Sequence, residues 1–257
     1  MAWYDTVLDL GKTAFNFVTG NSLASNLVKT ALLGFIANKV NASVNKENVI
    51  PPPPPAIDPG VRLQVDPDTE SKIPVLYGQA TFGGNITDAF LTPDNLNMYF
   101  VLTLCEKTGT RLSTNTASTF TFNDVFLNDQ RVIFQSDGIT VDYTIDREGN
   151  QDISARGLIQ VYCYAGNSAT PVVPEYYTNG SLQNAYAVMP NWDSTYTMND
   201  LVFAIVKVTY SKDKGVNALP NVLFTITNSM SLPGDCLYDY MTSVRYGAAI
   251  PAAEIDA

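Results

Sequence analysis

Histidine is absent from the 257 residues. That removes histidine general bases, histidine-containing triads and histidine-ligated metals in one step. Charge is scarce as well. Charged residues make up 16% of the chain, and 15 Lys+Arg against 25 Asp+Glu leave a net of −10. Such a balance has no cationic surplus for nonspecific contact with phosphates, so nucleic acid is not an expected partner. Cysteine is down to Cys105, Cys163 and Cys236, an odd number with no CxxC pair. They read as small buried hydrophobes rather than a disulfide framework or a metal site. Long apolar runs are missing too. Ala31–Ala37 is far short of the roughly 20 residues that cross a bilayer as a helix. Asp5 and Asp9 stand where a secretory signal would carry a basic region.

Threonine and asparagine are abundant, at 25 and 22 residues, with 14 Tyr and 12 Phe. Threonine and aromatics favour strands, and asparagine favours turns. The chain therefore reads as mainly β, with enough apolar content (46%) for a real core.

Residues 1–50 differ. Trp3, Val7, Leu10, Ala14 and Phe17 recur at spacings of three and four, and Tyr4, Leu8, Phe15 and Val18 widen the stripe. This is an amphipathic helix. Thr19–Ser22 breaks it. A second helix to about Val44 carries Leu23, Leu27, Leu32, Phe35, Ile36 and Val40. Five prolines, Pro51–Pro55, then form a stiff polyproline arm within a linker over 51–59. The expected organisation is a helical anchor over 1–50, that linker, and a β-rich domain over 60–257. An apolar helix pair held off its own body on a stiff arm calls for a partner. Trp3, Tyr4, Phe15, Phe17, Leu32, Phe35 and Ile36 are the expected contacts.

From Val61 short β runs alternate with turn signals. Expected strands are 61–65, 74–77, 98–104, 119–123, 132–135, 139–145, 158–165, 201–210 and 222–227. Asp137-Gly138 marks a tight turn. Residues 166–199 look irregular, with a short helix at 182–187. A closing helix is expected over 236–244, with Tyr246-Gly247 capping it and Arg245 pairing with Asp239.

Chemistry-bearing motifs are weak. Asp66, Asp68 and Glu70 read as a turn, and Asp146, Asn150 and Asp152 as a solvated hairpin, because neither follows a calcium-loop pattern. Gly78, Gly83 and Gly84 lack the spacing and lysine of a phosphate loop and serve as bends in a curved sheet. There is no GxSxG elbow. No catalytic, cofactor or metal residue is assigned, and an enzyme is the weaker class.

Two stretches carry more than composition. One is KIPVLYGQATFGGNITDAF, residues 72–90. The other is NDLVFAIVKVTYSKDKGVNALPNVLFTI with PGDCLYDYMTSVRYGAAIPAAEID, within 199–256. Together they resemble the central tail-tip (baseplate hub) proteins of tailed bacteriophages, the lambda-like tip attachment family. Asp239, Tyr240, Thr242, Arg245, Tyr246, Gly247, Ile250, Pro251, Ile255 and Asp256 fall in order on that family's closing signature. Members run on past it, so the chain reads as a shortened form. The resemblance implies a curved-sheet or barrel-like hub domain and a virion structural protein beneath the tail tube. It also implies a homo-oligomer, trimer favoured, whose neighbours are other tail or baseplate proteins, with Arg245 and Tyr246 at interfaces and no reaction catalysed. An adaptor to fibres is the first alternative. A carbohydrate-binding or glycan-cleaving module is the second, suggested by Tyr176, Tyr177 and Tyr186. Membrane attachment through residues 1–45 is the weakest, given that segment's near-neutral charge.

Overall fold

A computed structural model describes residues 72–177 and 182–255. The expected helix pair with its seven contact residues, the proline arm, the strand at 61–65 and the Asp66–Glu70 cluster lie outside the described residues. Strands run in the order β1 Gln79–Phe82, β2 Asn85–Leu91, β3 Asn97–Glu106, β4 Thr110–Arg111, β5 Thr116–Ala117, β6 Phe120–Leu127, β7 Gln130–Phe134, β8 Val141–Ile145, β9 Gln151–Asp152, β10 Ile159–Gly166, β11 Pro171–Val172, β12 Leu201–Thr209 and β13 Val222–Asn228. Helix α1 is Ala185–Val188, helix α2 is Pro233–Thr242, and a 3-10 turn closes at Ala252–Glu254.

The domain is mainly β, as composition predicts. It is built from two open antiparallel sheets and not from a closed barrel. The six-stranded sheet runs β1-β13-β6-β7-β8-β9 and the five-stranded sheet β11-β10-β12-β3-β2. Strands β4 and β5 form a separate ribbon.

One apolar core joins the two sheets. The five-stranded sheet contributes Leu102, Leu104, Val161, Val202, Ala204, Val206 and Val208. Facing them are Phe122, Val125, Val132, Val141, Phe224 and Ile226. Phe122 and Phe224 meet edge to face, with centroids 6.0 Å apart. Val222, Phe224 and Ile226 alternate along β13 and put that face into the shared core.

Strand β12 is apolar from Leu201 to Val206, because it is central and buried on both faces over Val202–Val206. Its other face, Phe203 and Ile205, meets a second cluster of Val101, Tyr164, Ala185, Val188, Met189 and Trp192. The ring of Tyr164 stacks on Phe203 at 4.6 Å. Trp192 donates from Nε1 to Asp88 Oδ2 at 2.7 Å, so its one polar atom is satisfied. The stretch expected to be an irregular excursion is thus a packed layer over the five-stranded sheet, and α1 starts at Ala185.

Other expectations shift in detail. Residues 74–77 form no strand; Val75 makes only an isolated parallel bridge to Glu106. Strands β1 and β2 occupy the GQATFGGNITDAF region, with β1 on β13 and β2 on β3. Gly84 between them sits against β3, where an added Cβ would fall 2.8 Å from Leu104 Cδ2. The Asp137-Gly138 turn is present. Gly138 has φ 65, and Asp137 accepts from the amides of Ile139 and Thr140 and from the Thr140 hydroxyl.

Candidate functional site

Helix α2 starts with Pro233, a residue pre-set for the first helical turn. Its inner face carries Asp235 and Asp239, four residues apart and therefore stacked one turn above the other. Asp235 takes the Ser113 amide at 2.8 Å and the Ser113 hydroxyl at 2.6 Å. Those bonds hold its carboxyl below the ordinary aspartate value. Asp239 is only 5% exposed. Its Oδ2 accepts from the hydroxyls of Tyr77 and Tyr246, each at 2.7 Å, and its Oδ1 from the Gly109 amide at 2.8 Å. Both phenols are pushed above the usual tyrosine value, first by burial and then by the Asp239 carboxylate.

The two stretches that carry the family resemblance therefore meet at one carboxylate, with Tyr77 from the first and Asp239 and Tyr246 from the second. Asn228, at the end of β13, stitches the same region. Its Nδ2 donates to the Leu76 carbonyl at 2.7 Å and to Thr108 Oγ1 at 2.8 Å, and its Oδ1 accepts from the Met230 amide.

Two expected contacts are replaced here. Arg245 does not pair with Asp239. It lies 2.7 Å from Glu106 Oε2 and 3.1 Å from Asp200 Oδ2. The Glu106 approach is off the hydrogen-bond axis, so that contact is Coulombic. The tyrosines and the Gly109 amide already fill Asp239. Gly247 does not cap α2, which ends at Thr242 with Ser243 in extended geometry. Instead the chain folds back: the Ala248 amide donates to the Tyr240 carbonyl at 2.9 Å and the Ile250 amide to that of Met241 at 2.8 Å. A Cβ at Gly247 would stand 1.9 Å from the Tyr240 oxygen, so close approach is what requires glycine there.

The outward side of α2 is apolar. Leu237 is 60% exposed, Tyr240 50% and Val244 83%. Leu237 and Tyr240, three residues apart, share one face of the helix, and Val244 follows just past its end.

A second polar grouping lies where β6 and β7 separate. Asn128 and Asp129 link them, both with positive φ (49 and 65), as the tightest hairpins require. Pairing then stops after Phe126↔Arg131 and Leu127↔Gln130. Pro174–Tyr177 enters the gap. The Glu175 amide donates to the Phe122 carbonyl at 2.8 Å, and Tyr177 Oη accepts from the Phe134 amide at 2.7 Å. Tyr186 is elsewhere, partly buried against the second core cluster, so it does not join Tyr176 and Tyr177.

The Asp146 loop is self-contained: its carboxylate accepts from the Glu148 and Asn150 amides and from Asn150 Nδ2. Among the described residues no group of three or more Cys, Asp or Glu is placed to hold a metal ion. Cys105 and Cys163 are buried, and burial pushes the Cys105 thiol up to about 12 and the Cys163 thiol higher still. Neither is a ready nucleophile.

Tyr77 lies inside the 72–90 stretch, but nothing in its spacing names Asp239 as its partner. The Asn128-Asp129 pair between FTFNDVFL and QRVIF was a readable hairpin signal. No family model matches the chain, and no curated protein matches it.

Proposed function

We propose that the chain is a structural protein of a bacteriophage tail tip or baseplate, located in the virion, which acts by assembly and catalyses no reaction. The observation that carries this reading is the convergence at Asp239. The residues that bear the resemblance are spent on pinning the C-terminal segment to the β domain. Each Asp239 oxygen is engaged from inside the fold, which suits a fixed scaffold better than a reacting group. The exposed Leu237 and Tyr240 on α2, with Val244 exposed just past its end, support a subunit contact, since grouped apolar surface favours being covered. Its proposed occupant is a second copy of this chain, in a ring of which a trimer is the favoured form, with other tail proteins as further neighbours.

Light scattering on the full chain at micromolar concentration tests this. A defined homo-oligomer that falls to monomer in Leu237→Asp/Val244→Asp, with the β signal in circular dichroism unchanged, supports the reading. A strict monomer, alone and with tail-tube protein, overturns it.

A further inference from the structure

The gap between β6 and β7 is more than a packing defect. It holds a cavity of about 390 Å³ lined by Asn123, Asp124, Arg131, Phe134, Tyr176 and Tyr177. A second hollow of about 350 Å³ lies on the other side of Arg131, reaching Asp129, Asp146 and Arg147. Arg131 is the wall they share.

The side chains around the first cavity are held in place. Arg131 Nε donates to Asp124 Oδ1 at 2.6 Å. Its guanidinium lies 5.3 Å from the centroid of the Tyr176 ring, within cation–π distance. Asn123 Nδ2 donates to Glu175 Oε2 at 2.6 Å, and its Oδ1 accepts from Thr227 Oγ1 at 2.6 Å. Tyr177 sits edge to face on Phe134 at 5.7 Å. Despite this bracing, Tyr176 is 67% exposed. A positioned aromatic in water beside half-buried polar groups is the chemistry of a ligand site.

Charge narrows the ligand. Among the described residues lining the two hollows, Asp124, Asp129 and Asp146 outnumber Arg131 and Arg147. Arg131 is already neutralised by Asp124. A polyanion would meet a net repulsion there. A sugar ring meets none: its C–H face is apolar and fits an aromatic face, while its hydroxyls both donate and accept. Carboxylate oxygens of Asp124 take donated hydroxyl protons, and the guanidinium of Arg131 supplies donors.

We propose that the cleft between β6 and β7 binds a neutral pyranose chain, with one sugar ring on Tyr176 and its hydroxyls on Asp124, Asn123 and Arg131. This goes beyond the assembly reading and stands on different residues.

Saturation-transfer NMR on the full chain tests it, with chitohexaose, maltohexaose and cellohexaose as neutral probes and polysialic acid and a lysine oligomer as charged ones. The expected result is transfer to the ring protons of at least one neutral probe. Affinity should fall about tenfold in Tyr176→Ala and hold in Tyr176→Phe, because the ring face carries the contact. Circular dichroism on each variant checks that the fold is kept. The proposal is overturned by no transfer to any neutral probe, by undiminished transfer in Tyr176→Ala, or by tighter binding of either charged probe. Because neither outcome touches α2, failure here and failure of the assembly reading are separate results.

Discussion

The region around Asp239 and the cleft around Tyr176 draw on the same residue types and put them to opposite uses. Each has tyrosines, a carboxylate and an arginine. Around Asp239 the carboxylate is buried and takes three donors, two of them (Tyr77 and Gly109) from distant parts of the chain and one (Tyr246) from just past its own helix. Around Tyr176 the carboxylate of Asp124 takes one arginine from the next strand, and the tyrosine ring stands in solvent. Burial separates the two. An unsatisfied buried donor costs about 1–3 kcal/mol, whereas an exposed one returns to water at little cost. The first region should therefore govern stability, and the second should be nearly silent in stability and decisive in binding.

Removing the Asp239 carboxylate is the most severe way to probe that difference. Asp239→Ala strands two phenols and an amide, so a loss of about 4 kcal/mol is expected in urea unfolding. Survival of the variant with a loss below about 1 kcal/mol would mean that water replaces the carboxylate and that the region is not closed. Gly247→Ala comes next. The added methyl meets the Tyr240 carbonyl, and backbone must shift, at about 3 kcal/mol. Tyr246→Phe deletes one bond to a charged acceptor and should cost about 1.5 kcal/mol.

Alkali tests the same region without mutation. The folded phenols of Tyr77 and Tyr246 lie above the usual value near 10. A raised folded value means their contribution is whole below about pH 10 and is lost as pH rises beyond it. The midpoint of thermal unfolding should fall above that pH, and less steeply in Tyr77→Phe/Tyr246→Phe. An equal slope in the variant would show that other tyrosines set the alkaline limit.

How much of this was legible follows from the range of the signals. Strands β3, β10, β12 and β13 were readable because each is a run of apolar or alternating residues, and that pattern is local. Strands β1 and β2 were read as motif and bend, since Gln79, Thr81, Asn85 and Thr87 dilute the apolar pattern around Gly83-Gly84. Helix α2 was readable within a few residues, but its partners were not. Tyr77 and Asp239 are 162 positions apart, and no spacing rule reaches that far. Arg245 was assigned to Asp239 because helical proximity was the only guide. The fold assigns it instead to Glu106 and Asp200, at the ends of strands that meet β to β. Gly247 was read correctly as required and for the wrong reason, since a close approach leaves no mark in sequence that a helix cap does not also leave. Tyr176 and Tyr177 stood out as a pair, yet only the splitting of β6 from β7 gave them a cavity.

The smallest stability effects are expected at the cleft, and there the comparison becomes sharpest. Arg131→Ala breaks an ion pair whose partners are 42% and 25% exposed, worth about 0.5 kcal/mol. Tyr176→Ala removes a ring that is mostly in solvent and should move unfolding by less than about 0.5 kcal/mol. Tyr177→Phe is the internal control. Its hydroxyl accepts from the Phe134 amide and donates to the Phe134 carbonyl, so it braces the gap and should cost about 1 kcal/mol, although it is the neighbouring residue. Urea unfolding of the three variants side by side gives the check. If Tyr176→Ala costs as much as Tyr177→Phe, the exposed ring is part of the plug that holds the split sheet together. If it costs nothing while sugar binding is lost, adjacent tyrosines divide the work, with one holding the sheet and the other meeting the ligand.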